Sequence, residues 1–86
     1  MKENIKKKKE VTIIVNGKDC TIEKSKISFE QIITLAFGSY DPNPDVAYTV
    51  SYSKGPDKKP KGQMVEGDKV NVKDGMIFNV SRTNRS

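Results

Sequence analysis

EVTIIVNGKDCTIEK, residues 10–24, decides the fold. Val11, Ile13 and Val15 alternate with Thr12 and Ile14, the period-two pattern of a strand with one buried face. Asn16-Gly17 follows, and both residues tolerate the positive φ that a tight two-residue hairpin turn demands. Cys20 and Ile22 then alternate with Asp19, Thr21 and Glu23. The stretch reads as a β-hairpin of Glu10–Val15 against Lys18–Lys24. Cys20 falls in its inward set and reads as a small buried hydrophobe rather than a reactive thiol.

Downstream of the hairpin the period changes. Ser28 is a good N-cap with Gln31 three residues on, the spacing of a capping box, and Ile27 and Ile32 can form a hydrophobic staple around it. Phe29, Ile32, Ile33 and Ala36 share one helical face with Leu35 beside them, and Gly38 supplies the stop. This predicts a one-sided helix over Phe29–Phe37 that has to lie on a sheet. Asp41-Pro42 and Asn43-Pro44 make a rigid loop. Tyr48, Val50 and Tyr52 alternate with Thr49 and Ser51 as a half-buried strand. Gly55–Gly62 (GPDKKPKG) reads as a charged, exposed loop. Met64 and Val65 begin a short segment, Glu66-Gly67-Asp68 turns, and Val70 with Val72 marks a short strand. Asp74-Gly75 is a second hairpin-turn signal, leading to a last strand carrying Met76, Phe78 and Val80.

The predicted order is β-β-α-β-β-β, an α+β roll with one helix packed on a mixed sheet. The first and last strands, rich in Ile, Val and Phe, are expected side by side at its centre. The domain spans 10–82, between a basic arm over 1–9 and a polar tail over 83–86.

At 86 residues, 31% of them charged, the chain has room for one modest core. It contains no histidine and a single cysteine, Cys20. Ser-His and Cys-His pairs, an internal disulfide and the usual Cys/His zinc site are therefore excluded within the chain. Asp41, Asp45 and Asp57 lack the alternating ligand spacing of a calcium loop. No catalytic residue, cofactor or metal is expected, and the chain reads as a non-enzyme. No run approaches the ~18 apolar residues of a membrane span. No apolar segment of roughly 7–15 residues follows the basic N-terminus, so the expected location is cytoplasmic. The net charge of +5 is uneven: five lysines against two glutamates give residues 1–10 a charge of +3 and leave +2 for residues 11–86. With no aromatic residue among Lys6–Lys9 to stack on bases, the arm reads as a solvated extension rather than a nucleic-acid site.

Val11–Gly17 (VTIIVNG), Ile27–Ala36 (ISFEQIITLA), Tyr48–Tyr52 (YTVSY), the Gly67-Asp68 turn and Lys73–Val80 (KDGMIFNV) occur in an order and spacing that resembles the β-grasp, or ubiquitin-like, fold. Within it the chain is similar to the bacterial multiubiquitin-type domains, over roughly residues 10–86. The resemblance implies a protein modifier whose C-terminal carboxylate is adenylated by an activating enzyme and transferred to a target protein. Its implied partners are that activating enzyme, a conjugating enzyme, a deconjugating or processing peptidase and the target. Antiphage defence is the implied setting.

On this reading the working segment is Thr83, Asn84, Arg85 and Ser86. It departs from ubiquitin in lacking the Gly-Gly end, whose missing side chains suit a narrow channel. Either a peptidase removes Arg85-Ser86 and leaves Asn84 as the reactive end, or Ser86 itself is that end, or the tail is inert. Ile14 and Ile77 are expected on the sheet face away from the helix, as a small partner-contact patch or under a loop. Two other functions stay open: a β-grasp module that docks without being conjugated, and a nucleic-acid binder led by Lys6–Lys9. Neither a membrane nor nucleic acid is the expected partner.

Overall fold

A computed structural model describes residues 9–84. The chain runs β1 (Glu10–Val15), β2 (Lys18–Glu23), β3 (Lys26–Ser28), α1 (Phe29–Phe37), β4 (Val46–Ser53), β5 (Gly62–Met64), β6 (Lys69–Asn71) and β7 (Ile77–Asn84). A five-stranded sheet has the order β2-β1-β7-β4-β5, and a separate two-stranded sheet pairs β3 with β6. β1 and β7 are parallel, while the β1–β2, β4–β7 and β4–β5 pairs are antiparallel. The result is the expected α+β roll of the β-grasp type, with one helix on a mixed sheet.

The hairpin forms as its residues dictate. Val15 opposes Lys18 across a turn in which Asn16 (φ 52°) and Gly17 (φ 80°) are both left-handed. α1 has the predicted bounds and cap. Ser28 Oγ accepts from the Gln31 N–H at 3.1 Å, and Gln31 Oε1 accepts from the Ser28 N–H at 2.8 Å. Gly38 ends the helix at φ 86°, its N–H donating to the Thr34 carbonyl.

Val11, Ile13 and Val15 of β1, Val50 and Tyr52 of β4, and Phe78 and Val80 of β7 point into the core. Phe29, Ile32 and Ile33 of α1 meet them there. Ile13, Ile32, Ile33, Met76 and Phe78 are completely excluded from solvent. Each such side chain contributes about 1.5–3 kcal/mol through burial, the main force holding the helix on the sheet.

Two local expectations change. The helix is preceded by β3, whose Ile27 faces Val70 of β6. Three residues carry no readable alternation, so this strand exists only because β6 comes alongside. The Asp74-Gly75 turn forms, with Gly75 at φ 85°, but it joins no hairpin. β6 belongs to the small sheet, and the turn is instead held to β1. Asp74 Oδ1 accepts from the Thr12 N–H at 2.8 Å, and the Gly75 N–H donates to the Thr12 carbonyl at 2.7 Å. The backbone edge of β1 thus takes hydrogen bonds that a β6–β7 hairpin would have made, and starts β7 parallel to β1.

Candidate functional site

β7 carries the segment singled out by sequence. It starts beside β1, with Ile14 opposite Ile77 and Val15 opposite Phe78. It then pairs with β4 along its whole length, out to Thr83 opposite Ala47 and Asn84 opposite Val46. Thr83 and Asn84, expected in a free tail, are therefore exposed strand residues. The cause is β4, which begins at Val46 rather than Tyr48 and offers two more rungs. The polar run Ser81–Asn84 could not signal this, because its side chains are exposed at the sheet rim and show no apolar alternation. Arg85 and Ser86 lie outside the described residues, as do residues 1–8 of the basic arm.

Arg82, on the same face of β7 as Val80, opposes Tyr48. Its guanidinium lies 6.0 Å from the Tyr48 ring centroid and reaches Asp41 Oδ2 at 3.3 Å. The Tyr48 hydroxyl in turn accepts from the Asp41 N–H at 2.9 Å. Tyr48 stacks on Tyr40 at 5.4 Å between centroids and approaches Phe37 at 6.1 Å. Tyr40 meets Phe29 edge-on at 6.4 Å. The C-terminal end of β7 is thus clasped by an aromatic cluster drawn from α1, the proline loop and β4. Partial burial, together with the charges of Glu66 and Glu30, raises the Tyr40 phenol above its ordinary pKa. Sequence reading missed this cluster. Tyr48 was legible only for its alternation, and nothing periodic links it to Phe37, Tyr40 or Arg82.

On the opposite face, the register places Asp19, Ile14, Ile77 and Ser53 in one row across β2, β1, β7 and β4. Ile14 and Ile77 are neighbours, both half-buried, with a polar residue on either side. They form an apolar strip two residues wide. Cys20 is a half-buried free thiol packed against the core from β2. Among the described residues no three metal-ligating side chains converge, and no helix is long and apolar enough to cross a membrane.

One comparison with known proteins is decisive. The family model described as Multiubiquitin matches residues 11–84. The chain belongs to the multiubiquitin family. No curated protein and no solved structure matches it. The multiubiquitin match begins on the first buried residue of β1 and ends on the last residue of β7, so it takes in both sheets and the helix. The chain is a small ubiquitin-like domain, and a domain of that kind is in general a non-enzymatic protein module.

Proposed function

We propose that this multiubiquitin domain is a ubiquitin-like modifier of a bacterial ubiquitination-like pathway, working in the cytoplasm and in antiphage defence. A carboxylate beyond β7 is adenylated by an activating enzyme, with ATP as co-substrate and pyrophosphate as the leaving group; AMP then leaves as the acyl group is passed, by way of a conjugating enzyme, to a target protein. The domain is substrate rather than catalyst. Its body serves for docking, and Ile14 with Ile77 forms part of the contact face. The observation that carries this reading is the family match over residues 11–84.

The pairing of β7 adds a condition. Asn84 and Thr83 are joined to Val46 and Ala47, so an enzyme channel either engages only the residues beyond Asn84 or unzips these rungs. A backbone hydrogen bond in water contributes about 0.5–1.5 kcal/mol net, so docking energy can supply the release of two rungs. The strand-paired end also supports a second reading, a module that docks without conjugation.

Co-expression of the full chain with an adenylating enzyme, conjugating enzyme and peptidase encoded beside it tests both. Conjugation predicts covalent adducts by intact-mass and peptide analysis, joined through Asn84 after loss of Arg85-Ser86 or through Ser86 without it. Stable binding to the enzymes with no adduct would sink the modifier reading and leave the docking one.

A further inference from the structure

The end of β4 opposite the aromatic clasp leads into a different electrostatic environment. Residues 54–61 read KGPDKKPK. They form a closed loop: the Gly55 N–H donates to the Pro60 carbonyl at 2.7 Å and the Lys59 N–H to the Pro56 carbonyl at 2.9 Å, with Lys54 left-handed at φ 57°. Gly55 is buried, and a Cβ there would stand 3.1 Å from the Lys59 carbonyl oxygen, so a side chain at the base of the loop would press on its backbone. The loop faces the small sheet across a cleft of about 220 Å³, and Lys58 and Lys59 on one side meet Lys26 of β3 and Lys69 of β6. None of these four lysines is ion-paired among the described residues. The one carboxylate in the loop, Asp57, lies 3.6 Å from a different lysine, Lys73.

A second observation points into the same cleft. Tyr52 lines it, is 4% exposed, and its hydroxyl has no hydrogen-bond partner among the described residues. The hydroxyl stands beside Gly62, where a Cβ would come within 3.0 Å of Tyr52 Oη and 3.5 Å of Lys59 Cε. A hydroxyl left without a protein partner is unfavourable in a buried residue, and gathering like charges adds to that cost. Both costs are offset by one kind of occupant, an oxyanion that accepts from the hydroxyl and neutralises the ammonium groups.

We propose that this cleft is a binding site for a phosphate group, with Tyr52 Oη as the buried donor and Lys26, Lys58, Lys59 and Lys69 as the charged rim. The cleft is smaller than the roughly 300–1,000 Å³ of pockets that enclose whole drug-sized ligands. It therefore takes the phosphate itself, free or as a monoester end. Because the site lies at the far end of β4 from Asn84, it is independent of any chemistry at the C-terminus.

The test is a titration of the full chain with inorganic phosphate and, separately, glycerol phosphate, at constant ionic strength against chloride, followed residue by residue by NMR. Saturable shifts centred on Tyr52, Lys59 and Lys69 are expected. Equal response to both probes marks a terminal phosphate as the ligand, and response to inorganic phosphate alone marks the free ion. Tyr52→Phe keeps the core shape, so it should leave the phosphate-free melting temperature unchanged or raised. It should also weaken phosphate binding about tenfold or more, the loss of one charge-assisted hydrogen bond. Lys59→Gln with Lys69→Gln should weaken it further. Shifts no larger than chloride produces, shifts confined to lysines outside the cleft, or a Tyr52→Phe chain that binds phosphate as the parent does would each overturn the site.

Discussion

The side chain of Asn16 exchanges two hydrogen bonds with the backbone of Val80. Asn16 Nδ2 donates to the Val80 carbonyl at 3.0 Å, and the Val80 N–H donates to Asn16 Oδ1 at 2.7 Å. The Asn16 N–H also donates to the Phe78 carbonyl at 3.0 Å. β1 has already turned into the hairpin here, so the amide group takes the place of one further strand rung and extends the β1–β7 pairing.

Asn16 thus has two separable roles, which mutation resolves. Asn16→Gly keeps a residue that accepts φ 52° but removes both side-chain bonds. It is expected to cost about 1–3 kcal/mol, because the part-buried Val80 backbone groups lose their partners. Asn16→Ala adds the left-handed strain of a non-glycine residue and should cost more. Urea unfolding of the two variants checks the order, and equal stability of Asn16→Gly and the parent would show that the amide bonds contribute nothing.

The core prediction concerns Ile33. It has no solvent exposure and packs between α1 and the sheet. Ile33→Ala removes apolar volume that the neighbouring strands cannot refill, at an expected cost of about 2–5 kcal/mol. In a domain whose whole stability is of the order of 5–15 kcal/mol, chemical denaturation should show a large drop in midpoint. A shift near zero would mean that α1 is not seated as described.

Asp41→Ala addresses the clasp on β7. The Arg82–Asp41 pair is part-exposed on both sides, so global stability should fall by no more than about 1 kcal/mol. Local opening should respond more strongly. Hydrogen exchange of the amides at 82–84 is expected to quicken while that of Phe78 and Val80 stays unchanged. Unaltered exchange at 82–84 would mean that the β4 rungs alone hold the strand end.

Tyr40 gives a pH prediction. Its phenol is raised by partial burial first and then by the charges of Glu66 and Glu30. Folding therefore favours the protonated form. The contribution to stability is complete below the unfolded value near 10 and is lost as pH rises through the higher folded value. Tyr40→Phe cannot ionise, so its alkaline decline in unfolding free energy should be shallower than the parent's above about pH 10. Parallel curves would remove the electrostatic account.

Particular residues show where sequence reading worked and where it stopped. Asn16-Gly17 and the Ser28/Gln31 box are local devices whose partners lie within three residues, so their outcome was legible. The alternation of Val11, Ile13 and Val15 and of Phe78 and Val80 was legible too, because one face of each strand had to be buried. The Asp74-Gly75 turn was visible, but its partner, Thr12, lies 62 residues away.

By itself, the sequence determined the hairpin, the helix with both caps, the β-grasp order and the adjacency of the first and last strands. All of these follow from short-range backbone preferences and from hydrophobic periodicity. Only the tertiary structure decided that Thr83 and Asn84 are strand, because their pairing depends on where β4 begins and not on their own side chains. It also decided that lysines from β3, β6 and the 54–61 loop line one cleft with Tyr52, whose hydroxyl has no hydrogen-bond partner among the described residues. Charge carries no period along the chain, so its concentration at one place exists only once distant segments are folded together.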